Sequence, residues 1–439
     1  MHLAILWHFH QPIYKAPGGG PYVLPWVNYH TSRNYWQMIR LAQEGGWPCT
    51  FNFVPSLLEQ LLDYEEGRAD DPWQTALEKD ASDRNDAERE LARLHMPPGS
   101  DPSEWQEKAL REVFNPLDPL PADRQGLLAI QADIRRRLLP ACRKLETDDR
   151  VELTASAYYH PILPMICDAR SAGEQSPPGL DFRHPLDASY HLRRGADLFT
   201  EVFGHAPRGL WPSEGAVSRE ALRLAAEAGF RFAVTDESVL WKSLGRGPDP
   251  AALTRPYACE DMTVFFRDRE LSDLIGFTYA RWEPRDAAAD LVRRLAERAR
   301  AAGENAVLTL ALDGENPWGA YRDNAVPFLR YLYDGLDAEP SLRPIFFGRA
   351  AASLPAEPID LQPGTWLGHF GQWTGSPAKN AGWEALAKAR LDCGPVPSIY
   401  VAEGSDWFWW FGEEPHPAFG RLFRLYIDDA YRQAGRERR

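Results

Sequence analysis

Two carboxylates stand where apolar runs stop. Leu310-Ala311-Leu312 ends in Asp313-Gly314-Glu315-Asn316, and Gly209-Leu210-Trp211 ends in Pro212-Ser213-Glu214-Gly215. A pair of carboxyl groups at neighbouring strand ends suits glycoside hydrolysis: one attacks or stabilises the anomeric carbon while the other carries the proton of the leaving oxygen. Each also has a plainer reading. Asp-Gly is a common turn pair, and an acid ahead of a helix is favoured by the helix dipole. His8-Phe9-His10 suggests a second chemistry. Two histidines two apart on a strand point to one face, and with Asp313 or His160 as a third ligand they would hold a metal. No His-Glu-x-x-His spacing accompanies them, and a neutral imidazole is equally useful as a donor to sugar hydroxyls. Ser213 lacks the Gly-x-Ser-x-Gly elbow of an α/β-hydrolase. Gly18-Gly19-Gly20 is no phosphate loop, because no Lys-Ser or Lys-Thr follows it.

The elements that must position these groups are short apolar runs alternating with helical patterns, which predicts a parallel α/β sheet or barrel. The runs are Leu3–Trp7, Thr50–Val54, Val151–Thr154, Gly209–Trp211, Arg231–Val234 and Ala306–Leu312, each followed by a polar loop. Carboxyl ends of parallel strands form the face where such folds place their chemistry. Ser218 is positioned to cap a helix through Glu227, with Gly229 as its stop. From about 57 to 150 the pattern becomes charged and helical, and predicts an insertion over the barrel edge in which Pro140 interrupts a helix. The strand rhythm fades after about Ala325, and His416–Arg439 reads as a closing helix.

Composition narrows the class. The 439 residues suffice for one large core or two to three domains, and 44% hydrophobic with 26% charged residues is the balance of a globular protein. No apolar run reaches the roughly 18 residues of a membrane span, and the first residues show no signal-peptide pattern. A net charge of −14 argues against nucleic acid or an anionic membrane as partner. The five cysteines, odd in number and without CxxC spacing, are expected to be reduced, which favours a cytoplasmic location. The 16 Trp, 16 Tyr and 20 Phe suit a cleft that stacks sugar rings, as well as core packing.

Five motifs, in order, make the chain resemble glycoside hydrolase family 57, especially its amylopullulanase and α-amylase-like branch. They are His10-Gln11-Pro12; Val151-Glu152-Leu153-Thr154 through His160; Trp211-Pro212-Ser213-Glu214; Leu312 through Trp318; and Ala402-Glu403-Gly404-Ser405-Asp406-Trp407-Phe408-Trp409-Trp410. Phe266-Arg267-Asp268-Arg269-Glu270-Leu271-Ser272-Asp273 and Trp383-Glu384 add to the likeness. The resemblance implies a (β/α)7 barrel, here residues 1–325 with the insertion about 57–150, and a mainly helical segment, 326–439, completing the cleft. It implies retaining hydrolysis of α-glucans without a catalytic metal or other cofactor, with Glu214 as nucleophile and Asp313 as general acid/base. Asp313 should then have a raised pKa, through burial and the nearby Glu214 charge. His10, Glu152 and His160 would hold the sugar at the cleavage point. Gln11 and Arg267 belong to the matching motifs as substrate-binding candidates. Trp211, Trp318, Asp406 and Trp407 would line the cleft, and Glu315 and Asn316 would orient Asp313 or bind hydroxyls. Trp409 and Trp410 could equally pack inward.

The expected activity is hydrolysis of α-1,4 and also α-1,6 glucosidic bonds. A 4-α-glucanotransferase or branching enzyme is the rival within the family, although branching members begin with His-x-His-x-Pro-Tyr where this chain has His8-Phe9-His10-Gln11-Pro12. A non-catalytic glucan-binding protein and a metal-dependent polysaccharide deacetylase are the rivals outside it.

Overall fold

The computed structural model describes residues 1–69, 71–79, 83, 117, 123–303, 305–413 and 417–438. Seven strands run parallel around a closed barrel: β1 (His2–Phe9), β2 (Cys49–Phe53), β3 (Val151–Ala155), β4 (Gly209–Leu210), β5 (Phe232–Asp236), β7 (Met262–Arg267) and β8 (Val307–Asp313). A short β6 (Tyr257–Cys259) pairs antiparallel with β7 on the outside. Closure comes from the extremes of the barrel segment: β8 pairs with β7 at Thr309 and with β1 from His2↔Val307 to His8↔Asp313. This is the (β/α)7 arrangement that the family resemblance implies, and the parallel barrel that the apolar runs predict. The strand missing from the six apolar runs is β7.

Strand periodicity decides which residues enter the lumen. Side chains alternate across a strand, so Leu3, Ile5, Trp7 and Phe9 of β1 join the outer core against the helices, while Ala4 and Leu6 join the inner one. His8 has the parity of Ala4 and Leu6. In β8, Leu308, Leu310 and Leu312 face outward and Val307 and Ala311 inward, which gives Asp313 the inward parity. The lower lumen is filled by Phe232, Val234, Phe265 and the helix Phe347–Ser353, whose Phe347 ring lies 5.2 Å from that of Phe265.

The helix Arg219–Glu227 forms as expected, with the Ser218 hydroxyl accepting from the Ala221 N–H. In the segment 57–150, helices span Pro55–Glu65, Pro72–Glu78 and Arg124–Thr147; residues 84–116 and 118–122 lie outside the described residues. Pro140 does not interrupt the last of these helices. The turns on both sides of it dock, with Leu127, Ile134, Leu138 and Leu139 buried before the proline and Cys142 and Leu145 after it. That burial outweighs the one lost backbone hydrogen bond. After Ala325 the helix Val326–Ala338 packs on Pro284–Ala301, and the helices Pro377–Cys393, Pro397–Ala402, Ser405–Trp410 and Pro417–Gln433 gather beside the barrel. Two buried pairs tie this group down: His191 Nε2 to Glu403 Oε2 at 2.8 Å, and Arg390 to both oxygens of Asp187 at 2.6 and 3.0 Å.

Candidate active site

A cleft of about 360 Å³ opens at the carboxyl ends of the strands, lined by His8, His10, His160, Trp211, Glu214, Asp313, Glu315, Asn316, Trp366, Asp406, Trp409 and Trp410. Glu214 stands in the turn after β4 with φ 59°, a left-handed conformation, and is 8% exposed. Left-handed backbone at a non-glycine residue costs energy and gathers where function requires a special direction; His160 (φ 55°) shares it. The turn is stitched to the segment 364–366: Val217 and Gly364 exchange two backbone hydrogen bonds, and the Trp366 N–H donates to the Glu214 carbonyl at 3.0 Å.

The three histidines have settled roles. His8 Nδ1 donates to Asn52 Oδ1 at 2.8 Å, because the Asn52 amide nitrogen is spent on Thr154 Oγ1. His10 Nε2 lies 2.9 and 3.1 Å from the Asp406 carboxylate oxygens. The Ser405 hydroxyl reaches Glu214 Oε1 at 3.4 Å, so His160 Nδ1, 3.1 Å from Ser405 Oγ, is the donor of that pair. The rings of His10 and His160 stack at 3.9 Å. On the inner side His8 Nε2, His10 Nδ1 and His160 Nε2 are buried without a partner. Burial, then the neighbouring His10, pushes His8 down to about 3, and the same causes hold His160 well below 6.5. Both are neutral acceptors at these atoms. One ring nitrogen from each of the three lies within 4.8 Å of the others, a spacing that a metal ion could bridge.

Burial pushes the Glu214 carboxyl well above its ordinary value, and the charges of Asp406 and Asp313 push it further. Burial raises Asp313 as well, while the Asn316 amide, at 2.9 Å from Oδ2, and the charges of His10 and Arg267 pull the other way. The expected rise of Asp313 therefore has burial as its cause, and it is Glu214 that feels its neighbour's charge. Glu315 is raised well above 4.5 by burial and then by Asp313; its Oε1 accepts from the His10 N–H at 3.4 Å and its Oε2 has no partner.

The structure brings His10, His160, Trp211, Glu214, Asp313, Glu315 and Asp406 together, and takes five other candidates elsewhere. Glu152 lies at the opposite, amino end of β3, where it accepts from Thr50 Oγ1 and from the Gly348 N–H at the start of the lumen-filling helix. Its inward parity is right; its level in the strand is not. Gln11 is held by the hydroxyls of Tyr14 and Tyr35. Arg267 is spent on Asp236, Asp273 and the Ala311 carbonyl, with its guanidinium 5.5 Å from the Trp366 ring as a brace behind the cleft wall. Trp318 donates to the Gly314 carbonyl and packs edge-on to Trp7. Trp407 donates to the Val401 carbonyl inside the helical layer. Trp409 and Trp410 line the cleft in its place, because Asp406, Trp409 and Trp410 share one helix face at i, i+3 and i+4. That spacing was the available signal. For Trp366, in an irregular loop, the sequence offers none.

The sequence model of glycosyl hydrolase family 57 matches residues 4–346. The chain belongs to glycosyl hydrolase family 57. Solved structures agree at the level of the fold of this family 57 protein. A branching enzyme from Thermococcus kodakaraensis has a TM-score of 0.70 at 16% identity, over 98% of this chain and 89% of its own. An α-amylase from Thermotoga maritima gives 0.65 at 14%, over 100% and 94%. A 4-α-glucanotransferase from Thermococcus litoralis gives 0.63 at 16%, over 99% and 60%. No curated protein matches by sequence. Among the described residues of this family 57 chain, no helix is long and apolar enough to cross a membrane.

Proposed function

We propose that this chain is an α-glucan hydrolase of the α-amylase and amylopullulanase-like branch, cleaving α-1,4 bonds, and α-1,6 bonds in branched substrates, with retention of configuration. Glu214 is the nucleophile and Asp313 the general acid/base. The observation that carries this reading is a ring of buried, unpartnered polar atoms around the two carboxyls: His8 Nε2, His10 Nδ1, His160 Nε2 and Glu315 Oε2, flanked by Trp211, Trp366, Trp409 and Trp410. Buried polar atoms require partners, and a sugar ring supplies hydroxyls at its edge and apolar faces for the indoles. Glu214, ionised on substrate binding and held by the Ser405 hydroxyl, attacks the anomeric carbon. Asp313 gives its proton to the leaving oxygen, then takes one from the water that cleaves the glycosyl ester. The carboxyl separation for this route is about 5 to 5.5 Å. Residues 326–439 act as the second wall, since they supply Trp366, Ser405, Asp406, Trp409 and Trp410. The five cysteines are all unpaired, four of them buried, which supports a cytoplasmic location.

Chromatography of products from maltoheptaose, beside the Glu214→Gln variant, tests the assignment. Shorter products alone, absent with the variant, are expected, and pullulan then addresses α-1,6 cleavage. Longer products would reassign the activity to glucanotransfer or branching, the activities of two of the structural relatives. Untouched substrate would leave a binding role.

A further inference from the structure

The three cleft histidines are arranged as metal ligands are, with the outer nitrogen of each committed and the inner one free. A ligating histidine almost always donates its second N–H to a carboxylate, carbonyl or other oxygen, which fixes ring and tautomer and raises the basicity of the free nitrogen. Here His8 Nδ1 faces Asn52 Oδ1 at 2.8 Å, His10 Nε2 faces the Asp406 carboxylate at 2.9 Å, and His160 Nδ1 faces Ser405 Oγ at 3.1 Å. The free nitrogens are buried and unpartnered, and one ring nitrogen from each histidine lies within 4.8 Å of the others. Three imidazoles with a fourth side open to a cleft match a divalent transition-metal ion that prefers nitrogen, as zinc does. Magnesium and calcium, which take oxygen ligands, are excluded by the same donor set.

We propose that the cleft binds one zinc-class ion through His8, His10 and His160, with the Asp313 side of the cleft left for water. The ion is not a catalyst for the hydrolysis assigned above; it takes the same lone pairs that the sugar hydroxyls would use. Ion and glucan therefore exclude one another, and the ion is a competitive inhibitor. The exclusion rests on the proposed function, whereas the binding itself rests only on the histidine geometry.

Titration calorimetry of the full chain with zinc chloride, in a non-chelating buffer and without any sugar, tests binding separately from activity. One ion per chain is expected. His10→Ala, at the cleft rim, should abolish that site, and Asp406→Asn, which leaves all three ligands in place, should weaken it by about 10- to 100-fold. Cobalt substitution gives a readout that needs no variant: the proton spectrum should show three exchangeable, strongly shifted imidazole N–H signals, one per ligand. An unchanged zinc isotherm in a folded His10→Ala protein, fewer than three such signals, or no saturable binding to the wild type would overturn the proposal.

Discussion

Ser405 has one hydroxyl proton and two neighbours that want it. Giving it to Glu214 at 3.4 Å leaves the oxygen to accept from His160, so this hydroxyl favours the ionised nucleophile. Glu214 must lose its proton to attack, and activity falls as pH drops through its pKa. Because burial and the charges of Asp406 and Asp313 lift that pKa, the acid limb of kcat/KM should lie above pH 4.5. Ser405→Ala removes the hydrogen bond that opposes the rise, so the acid limb should move to higher pH; a limb that stays in place would separate Ser405 from the nucleophile. Asp313 has the complementary signature. Asp313→Asn should cut turnover of maltoheptaose by about 10²- to 10⁴-fold and much less on an aryl maltoside, whose leaving group needs little protonation. Glu214→Gln should abolish both, and equal losses from the two variants on both substrates would undo the division of roles. Asp313 was legible because it stands where an apolar strand-like run, Leu310-Ala311-Leu312, stops. The hydroxyl partner of Glu214, Ser405, lies inside a motif but carries no signal of its own, because a serine at position 405 means nothing until the fold places it against residues 160 and 214.

At the scale of the element, the helix Ser405–Trp410 separates two kinds of tryptophan. Trp407 is 2% exposed and packs on Phe419 and Tyr426, so Trp407→Ala should cost about 3 to 5 kcal/mol of stability in urea unfolding. Trp409→Ala should leave that midpoint nearly unchanged and raise KM, because the ring faces the cleft. The reverse result would exchange the two faces. Helix phase was readable here, and motif membership was the weaker guide: it favoured Trp407. Gly314 illustrates the opposite limit. In sequence it is half of an ordinary turn pair, yet a Cβ there would stand 2.1 Å from the Phe9 ring. Backbone packing that close depends on a residue three hundred positions away and has no local signature.

For the molecule as a whole, Glu152 couples the closed barrel to pH. Burial raises its carboxyl to about 7, so folding favours the protonated form. Its contribution is present in full below about pH 4.5, the value for the unfolded chain, and is lost as pH rises through 7, a change of about 3 kcal/mol. Glu152→Gln should remove that slope, leaving stability in urea at pH 8 equal to or above that of the wild type; a variant less stable at pH 8 would mean that the charge is held favourably by the Gly348 N–H. The barrel itself was legible from its alternating runs. What was not legible was the seventh strand, β7, which no apolar run announced. β1 lies between β2 and β8, and at synthesis rates of about 5–20 residues per second its second edge waits roughly 15–60 s for Val307–Asp313 to emerge. Throughout that interval Leu3, Ile5, Trp7 and Phe9 belong to an unsealed strand edge, a template for pairing with other chains.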